Sequence, residues 1–185
     1  MLKNLKMGSV ITTIVAAITV ISMGAVFYIS NRNITSMLIN DVENSMQTSL
    51  EAKTKLIDEY ILNAEKQLMS FSKEPDIKAL LQNPDDKAIQ EELQNYNSEY
   101  FAALTGWEGM YVCDWKTETL THSNTSVVGM VLREGDPLEQ LHQSLTAAKG
   151  GVYNTGILKS PASGEIIISM YVPIYDGDTP LGFVG

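Results

Sequence analysis

The sequence lacks several features on which enzymes and disulfide-stabilised domains depend. It contains one cysteine, Cys113, so no disulfide can form within the chain and the fold must be held by its own core. Its two histidines, His122 and His142, have no ligand-spaced Cys, Asp or Glu around them, which argues against a metal site. No serine stands in a nucleophile elbow, and no glycine-rich loop precedes a helix in phosphate-binding form. The sequence therefore predicts a protein without catalytic activity and without a cofactor.

Charge is missing from one long stretch near the N-terminus. No charged residue occurs from Met7 to Ser30, and residues 10–30 are predominantly apolar. A helix rises about 1.5 Å per residue, so this length spans roughly 30 Å, the hydrocarbon thickness of a bilayer. We predict a cytoplasmic stub over 1–9 and a transmembrane helix over 10–30. A cleaved signal peptide and a buried soluble helix are the alternatives, but the run is longer than a signal peptide core and no small-x-small cleavage site follows it.

Acidic residues are absent before Asp41, and this asymmetry predicts the orientation. Lys3 and Lys6 precede the predicted span, and positive charge stays on the cytoplasmic side of a membrane. All 22 Asp and Glu residues follow the span, together with all but two of the 13 Lys and Arg residues. We therefore expect the N-terminus inside the cell and residues 31–185 outside it. Such an acidic exterior argues against nucleic acid as a partner.

A second long helix is predicted directly after the span. Apolar residues recur every three to four positions from Ile34 to Phe71, with lysines and glutamates between them. No Pro or Gly occurs from Asn31 to Glu74, and Pro75 ends the pattern. About 40 helical residues would be roughly 60 Å long, more than one compact domain buries along its length. We predict a stalk and dimerisation helix over 31–75 in a homodimer; a long helix within a bundle is the alternative interpretation.

The remaining residues, 76–185, are predicted to form one α+β module. Short helices are expected over 76–82 and 85–104, with Asn83-Pro84-Asp85 as the break and cap between them. Later elements are expected as strands over 109–115 and from Leu120, a helix over 136–149, strands over 152–159, 165–174 and 181–185, and turns over 160–164 and 175–180. This spacing predicts an antiparallel sheet with helices on one face. The last strand has no end signal, as in a truncated chain.

Two stretches carry a likeness to a known family. Residues 110–129 begin Met-Tyr-Val-Cys-Asp-Trp and pass through Thr-His-Ser-Asn to Val-Val-Gly, and residues 151–185 contain Val-Pro-Ile-Tyr and close on Gly-Phe-Val-Gly. In this order, behind a membrane helix and a long outer helix, they resemble the Cache-type, PAS-like sensor of bacterial methyl-accepting chemotaxis proteins. The resemblance covers nearly the whole chain. It implies an extracytoplasmic module in the bacterial plasma membrane, either a single Cache module or the first of a double Cache pair. Such a module binds a small molecule, and parts absent from this chain signal to a cytoplasmic kinase.

Arg133 is the most informative polar residue, because it stands in the predicted loop between sheet and helix where the family's pockets lie. A guanidinium pairs with a carboxylate through two hydrogen bonds, which suits an amino acid or organic acid. In amino-acid-binding members the corresponding Arg is followed two and three positions on by aromatic residues, where this chain has Gly135 and Asp136. An ion pair with Glu134 or Asp136 on the surface is the alternative role.

Aromatic residues on the predicted strands supply candidate walls for the same pocket. Their rings would line it with hydroxyl groups at the rim, although buried strand aromatics more often belong to the core. The alternation in 111–114 predicts that Tyr111 and Cys113 face one way and Val112 and Asp114 the other, one pair inward and one outward. The predicted ligand-binding residues are Arg133, Trp115, Tyr111, Asp136, Tyr153 and Tyr171.

Three functions are compatible with these patterns. The first is the extracytoplasmic small-molecule sensor of a transmembrane chemoreceptor, taking part in chemotaxis and signal transduction. The second keeps the sensor but attaches it to a membrane histidine kinase or a cyclic-dinucleotide enzyme. The third is a membrane-anchored structural protein that binds no ligand. The family resemblance favours the first, and the absence of any catalytic pattern fits all three.

Overall fold

The computed structural model describes residues 7–160 and 163–185. Lys3, Lys6 and most of the predicted 1–9 stub lie outside the described residues, as does the middle of the predicted 160–164 turn. The chain divides into two compact units at the boundary between Asp58 and Glu59. The elements in chain order are α1 (Met7–Phe71), α2 (Pro75–Gln82), α3 (Lys87–Ala102), β1 (Tyr111–Asp114), β2 (Thr119–His122), a 3-10 turn (Thr125–Val127), α4 (Asp136–Ala147), β3 (Tyr153–Lys159), β4 (Ile166–Asp176) and β5 (Thr179–Val184).

The first unit consists of the N-terminal part of α1, which is long and apolar enough to cross a membrane. An 18-residue window of this helix has a mean hydropathy of 2.3, and its side chains are exposed. Thr12, Thr13 and Thr19 each donate a hydroxyl hydrogen bond of 2.9 Å to the carbonyl four residues earlier. Their polar atoms are therefore satisfied within the helix, as a hydrocarbon environment requires.

The second unit is built on a five-stranded antiparallel sheet in the order β2-β1-β5-β4-β3. This architecture confirms the predicted α+β class with a long N-terminal helix and a PAS-like sheet flanked by helices. The β4–β5 turn is tighter than predicted, because Tyr175 and Asp176 belong to β4 and Thr179 opens β5. Only two residues connect these strands, and Gly177 supplies the positive φ of 59° that such a short hairpin turn needs.

One face of the sheet carries the larger core. The end of α1 and helices α2 and α3 pack there on the inward residues of the strands, in a cluster that includes Leu68, Phe71, Ile77, Leu80, Leu93, Val112, Val172 and Val184. Phe71 is the last residue of α1, and Pro75 opens α2 at a first-turn position where its missing N–H leaves no helix bond unmade.

The prediction that the helices share one face of the sheet is wrong, because α4 covers the other. Leu141 and Leu145 of α4 pack on Cys113, Tyr171 and Phe183, which alternate along the strands with residues of the larger core. Both faces of the central strands are therefore shielded from solvent. For the same reason the prediction of one inward and one outward pair in β1 is wrong: Val112 and Cys113 are each fully buried, on opposite faces.

Helix α3 covers the outer edge of β2 with amide side chains. Gln94 accepts from the N–H of His122 (3.1 Å) and donates to its carbonyl (2.9 Å), and Gln90 donates to the carbonyl of Leu120 (2.8 Å). These bonds satisfy an edge strand that would otherwise offer free backbone groups. The predicted cap of α3 is wrong by one residue, since Asp86 accepts from the N–H groups of the first turn and the helix begins at Lys87.

Candidate ligand site between the sheet and the fourth helix

The loop that carries Arg133 is aligned along the β1–β2 hairpin by backbone hydrogen bonds. The N–H of Thr119 donates to the carbonyl of Met130 (2.9 Å), and the N–H of Leu132 donates to the carbonyl of Thr117 (3.0 Å). Glu118 and Val131 form an isolated antiparallel bridge between these bonds. The segment before Arg133, whose residues 130–132 are all apolar, therefore runs as a short extension of the sheet.

Thr117 fixes the backbone of Arg133 directly. Its hydroxyl donates to the Arg133 carbonyl and accepts from the Arg133 N–H, both at 2.9 Å. Thr117 is fully buried and lies in the tight turn between β1 and β2, where its own N–H donates to the carbonyl of Asp114. The backbone of the candidate ligand arginine is thus held from a neighbouring turn.

The Arg133 side chain lies against Tyr171. Its Nη2 donates to the Tyr171 hydroxyl at 2.9 Å, and its Cζ is 5.6 Å from the centre of the Tyr171 ring. In the described part of the chain no carboxylate lies within ion-pair distance of this guanidinium, so the surface pairing with Glu134 or Asp136 is not formed. A guanidinium has five N–H donors in a planar fork, and one hydrogen bond to a phenol leaves most of them for other partners.

Tyr171 is the centre of the aromatic cluster. It is 4% exposed, and its hydroxyl also accepts from Ser169 Oγ at 2.9 Å. The Tyr153 ring is stacked on it at a centroid distance of 6.0 Å, and the Phe183 ring meets it edge-on at 5.6 Å. Arg133, Tyr153 and Tyr171, three of the predicted site residues, therefore meet around one buried ring.

Tyr111 packs against the same cluster. Burial raises the pKa of Tyr111 well above its ordinary value, the neighbouring Tyr171 and Cys113 raise it further, and Arg133 opposes the shift. Tyr111 therefore stays a neutral phenol at any physiological pH, able to donate as well as accept.

Both histidines stack on predicted site residues. The His122 ring lies parallel to Tyr111 at 5.3 Å, and its Nδ1 accepts from the N–H of Asn124 at 2.8 Å. Burial lowers the pKa of His122, an effect that Glu108 partly opposes. The His142 ring lies on Trp115 at 4.4 Å, with its Nε2 2.6 Å from the Trp115 carbonyl oxygen. In residues 7–160 and 163–185 no group of three or more His, Cys, Asp or Glu is arranged to hold a metal ion.

The structure separates the six predicted residues into two groups. Tyr111, Tyr153 and Trp115 pack against the cluster formed by Tyr171, Cys113, Phe183 and α4, and Arg133 binds Tyr171. Asp136 is exposed at the first position of α4, with no hydrogen bond or ion pair to any of the others among the described residues. A binding role for all six stays a prediction.

Sequence reasoning missed two residues that shape the site. Ser169 had a usable signal: it is the one polar residue in the apolar run 166–174 and stands two positions before Tyr171, on the same face of the strand. The sequence contained no such signal for Thr117, because the role of Thr117 depends on a turn conformation that threonine rarely adopts.

A separate cavity of about 200 Å³ lies between the end of α1 and the segment after α3. Its lining includes Tyr60, Asn63, Gln67, Thr105 and Trp107, and no charged residue is among the residues that line it. It therefore offers no counter-charge for a carboxylate ligand, whereas the Arg133 cluster does.

Comparison with known proteins yields similarity in structure only. The sequence matches no protein-family model and no curated protein. The fold is similar to the sensor domain of the Vibrio cholerae histidine kinase DctB (TM-score 0.63, 16% identity, 76% of this chain and 53% of that one). It is also similar to the extracellular domain of the putative histidine kinase vpHK1S-Z8 (TM-score 0.54, 19% identity, 78% and 57%). The ligand-binding domain of the Pseudomonas fluorescens chemoreceptor CtaA, solved with L-alanine, aligns at a TM-score of 0.47, 14% identity, 77% and 57%.

The chain thus spans a little over half the length of the sensor domains it matches. At these identities the comparison establishes the fold: a long N-terminal helix followed by a sheet of the sensor-domain type. The two matched structures with TM-scores above 0.5 are a sensor domain and an extracellular domain of histidine kinases.

Proposed function

We propose that this chain is the extracytoplasmic small-molecule sensor of a transmembrane receptor, and that its ligand is a carboxylate bound at Arg133. The observation that carries the proposal is the Arg133 guanidinium, held against Tyr171 on the α4 face of the sheet with no carboxylate partner in the described part of the chain. An arginine kept in place by a phenol, and not neutralised by an acid, is suited to an incoming anion.

The neighbouring groups suit an amino acid or a small organic acid. Tyr111, Tyr171 and Ser169 supply neutral hydroxyls that can orient a second polar group without adding charge. The rings of Tyr153 and Phe183 pack on Tyr171 and add apolar surface to the cluster. A phosphate or nucleic-acid ligand would require more positive charge than one arginine supplies.

The topology proposed for the receptor follows from the sequence. Residues 10–30 of α1 form the anchor, Lys3 and Lys6 keep the N-terminus in the cytoplasm, and residues 31–185 lie outside a bacterial plasma membrane. Residues 31–75 form the stalk of a homodimer. Because α1 contributes residues to both units, it is the element through which ligand binding would reach the membrane.

The output is proposed to be chemotaxis signalling through parts of the receptor outside this chain, as in methyl-accepting chemotaxis proteins. A sensor histidine kinase is the second candidate, favoured by the two structural neighbours with TM-scores above 0.5, both from histidine kinases. The sensor unit is expected to perform the same task in either: binding a ligand outside and transmitting the change inward.

A ligand screen tests the proposal. The full chain in detergent micelles is unfolded thermally with the twenty standard amino acids and with acetate, lactate, malonate, succinate and citrate. A ligand at 100 times its dissociation constant stabilises the folded state by about 2.7 kcal/mol, which raises the Tm of a domain of this size by roughly 8–12 °C. Arg133→Gln should abolish this shift, and Arg32→Gln, which removes the chain's other arginine, should not. A panel without any stabilising member, or equal binding by Arg133→Gln, would refute the carboxylate site.

A further inference from the structure

Thr117 has a backbone conformation that its residue type avoids. Its φ is 66°, and it is the one non-glycine residue with positive φ in the described ranges. A β-branched side chain in the left-handed region crowds its own backbone, so such a residue is a true outlier. Glycine would adopt this conformation freely, but it has no hydroxyl. Residue 117 is therefore a strained threonine that has a hydroxyl, where an unstrained glycine would have none.

That hydroxyl bonds one residue only. Thr117 Oγ1 donates to the carbonyl and accepts from the N–H of Arg133, both at 2.9 Å, and the Thr117 carbonyl accepts from Leu132. The rest of the Arg133 loop is bounded by Gly129 and Gly135, whose positive φ values of 83° and 61° mark sharp changes of chain direction. Between these glycines, backbone bonds of Gly129, Met130 and Leu132 align the loop with the β1–β2 hairpin, and the Thr117 hydroxyl is the group that bonds the Arg133 backbone itself.

We propose that Thr117 is a positioning residue for the ligand site: its hydroxyl fixes the Arg133 backbone so that the guanidinium stays against Tyr171 before a ligand arrives. The inference rests on the proposed carboxylate function of Arg133. Holding the arginine in advance removes an ordering cost from binding, and so raises affinity without any contact between Thr117 and the ligand. Strain retained at this position is consistent with a functional rather than a folding role.

Three substitutions separate the hydroxyl from the strain. Thr117→Ser keeps the hydroxyl, Thr117→Val keeps the branched shape and its strain without the hydroxyl, and Thr117→Gly removes both. We expect Thr117→Ser to bind the best ligand of the same panel as the wild type does. Thr117→Val and Thr117→Gly should bind it about three- to ten-fold more weakly, because the ligand must then order the Arg133 side chain itself. If Val does not fold at this position, the Ser and Gly variants decide the matter alone.

Hydrogen exchange of the ligand-free full chain provides a readout that does not depend on the ligand. The Arg133 amide should exchange at least about ten-fold faster in Thr117→Gly than in the wild type or Thr117→Ser, because its acceptor is gone. Amides of β4 and β5 should keep their wild-type rates, which excludes general destabilisation. Unchanged Arg133 exchange in Thr117→Gly would overturn the inference.

The two arms distinguish this inference from the function on which it rests. A wild-type chain that binds no member of the panel refutes the proposed function, while the exchange rates still decide whether Thr117 positions Arg133. A wild-type chain that binds a carboxylate, together with a Thr117→Gly variant of equal affinity, overturns the positioning role and leaves the function standing.

Discussion

Tyr171→Phe removes a single oxygen atom from the centre of the candidate site. That oxygen accepts from Arg133 Nη2 and from Ser169 Oγ, both at 2.9 Å. The phenylalanine ring keeps the stacking with Tyr153 and the edge-on contact with Phe183. The substitution therefore tests the hydrogen-bond network while the packing stays in place.

The expected cost follows from the partners and their exposure. A hydrogen bond to a charged group contributes about 1.5–3 kcal/mol and a neutral one about 0.5–1.5 kcal/mol. Arg133 and Ser169 are half-buried, so water replaces part of what they lose. We expect Tyr171→Phe to lower the free energy of unfolding by about 2 kcal/mol, and the Tm by roughly 5–8 °C.

Tryptophan fluorescence of the full chain in detergent micelles measures this change. Both tryptophans, Trp107 and Trp115, lie in the Glu59–Gly185 unit, so the signal reports unfolding of that unit. Tyr60→Phe is the matched control, because the hydrogen bond from the exposed Tyr60 hydroxyl to the Gly106 carbonyl is long, at 3.4 Å, and therefore weak. It should change the free energy of unfolding by less than about 0.5 kcal/mol.

A double-mutant cycle with Arg133→Gln isolates the contact itself. If the guanidinium rests on Tyr171 in solution, the two substitutions should couple by about 1 kcal/mol or more. A coupling energy below about 0.3 kcal/mol, the scatter of independent sites, would show that the two residues do not interact and would remove the geometric basis of the carboxylate site.

Three further predictions follow. Burial lowers the pKa of His122, so the unfolded state takes up a proton on this imidazole at a higher pH than the folded state does. The free energy of unfolding should therefore fall as the pH drops from 7 to 5. In thermal melts, His122→Gln should make the free energy of unfolding depend less on pH than in the wild type. Burial raises the pKa of Cys113 to about 12, so the thiol should react with a maleimide at pH 8 only in denaturant. Rapid labelling of the native chain would contradict the packing of α4 over Cys113. Gln94→Ala should lower the free energy of unfolding by about 1–2 kcal/mol in chemical denaturation because it leaves two backbone groups of His122 unpaired, whereas the exposed Gln143→Ala should have no measurable effect.

Much of the fold could be predicted because its signals are local. An uncharged run of bilayer length, an apolar pattern of helical spacing free of Pro and Gly, and turn residues at hairpin spacing each depend on neighbours in sequence. The predicted position of α4 was wrong because the amphipathic pattern of a helix indicates which of its sides is buried. It does not indicate which face of the sheet that side packs against. The unbroken apolar run 170–174, which is continuously buried in β4, was the sequence signal that both faces are covered.

The candidate site was predictable only in part. Arg133, Tyr111, Tyr153 and Tyr171 were chosen from residue chemistry and strand alternation, and the structure brings them together around one ring. Asp136 follows Arg133 by three positions in sequence, yet it has no hydrogen bond or ion pair to another predicted site residue in the described part of the chain, and Gly135 before it has a positive φ of 61°.

The sequence by itself determined the apolar N-terminal helix, the α+β class and the residue types available for ligand binding, because these depend on local periodicity and composition. Only the tertiary structure decided that α4 closes the second face of the sheet, that Tyr171 receives the guanidinium of Arg133, and that Thr117 holds the backbone of that arginine. The physical reason is distance along the chain. Arg133 and Tyr171 are 38 residues apart in sequence and Thr117 and Arg133 are 16, and no local pattern encodes a hydrogen bond over such separations.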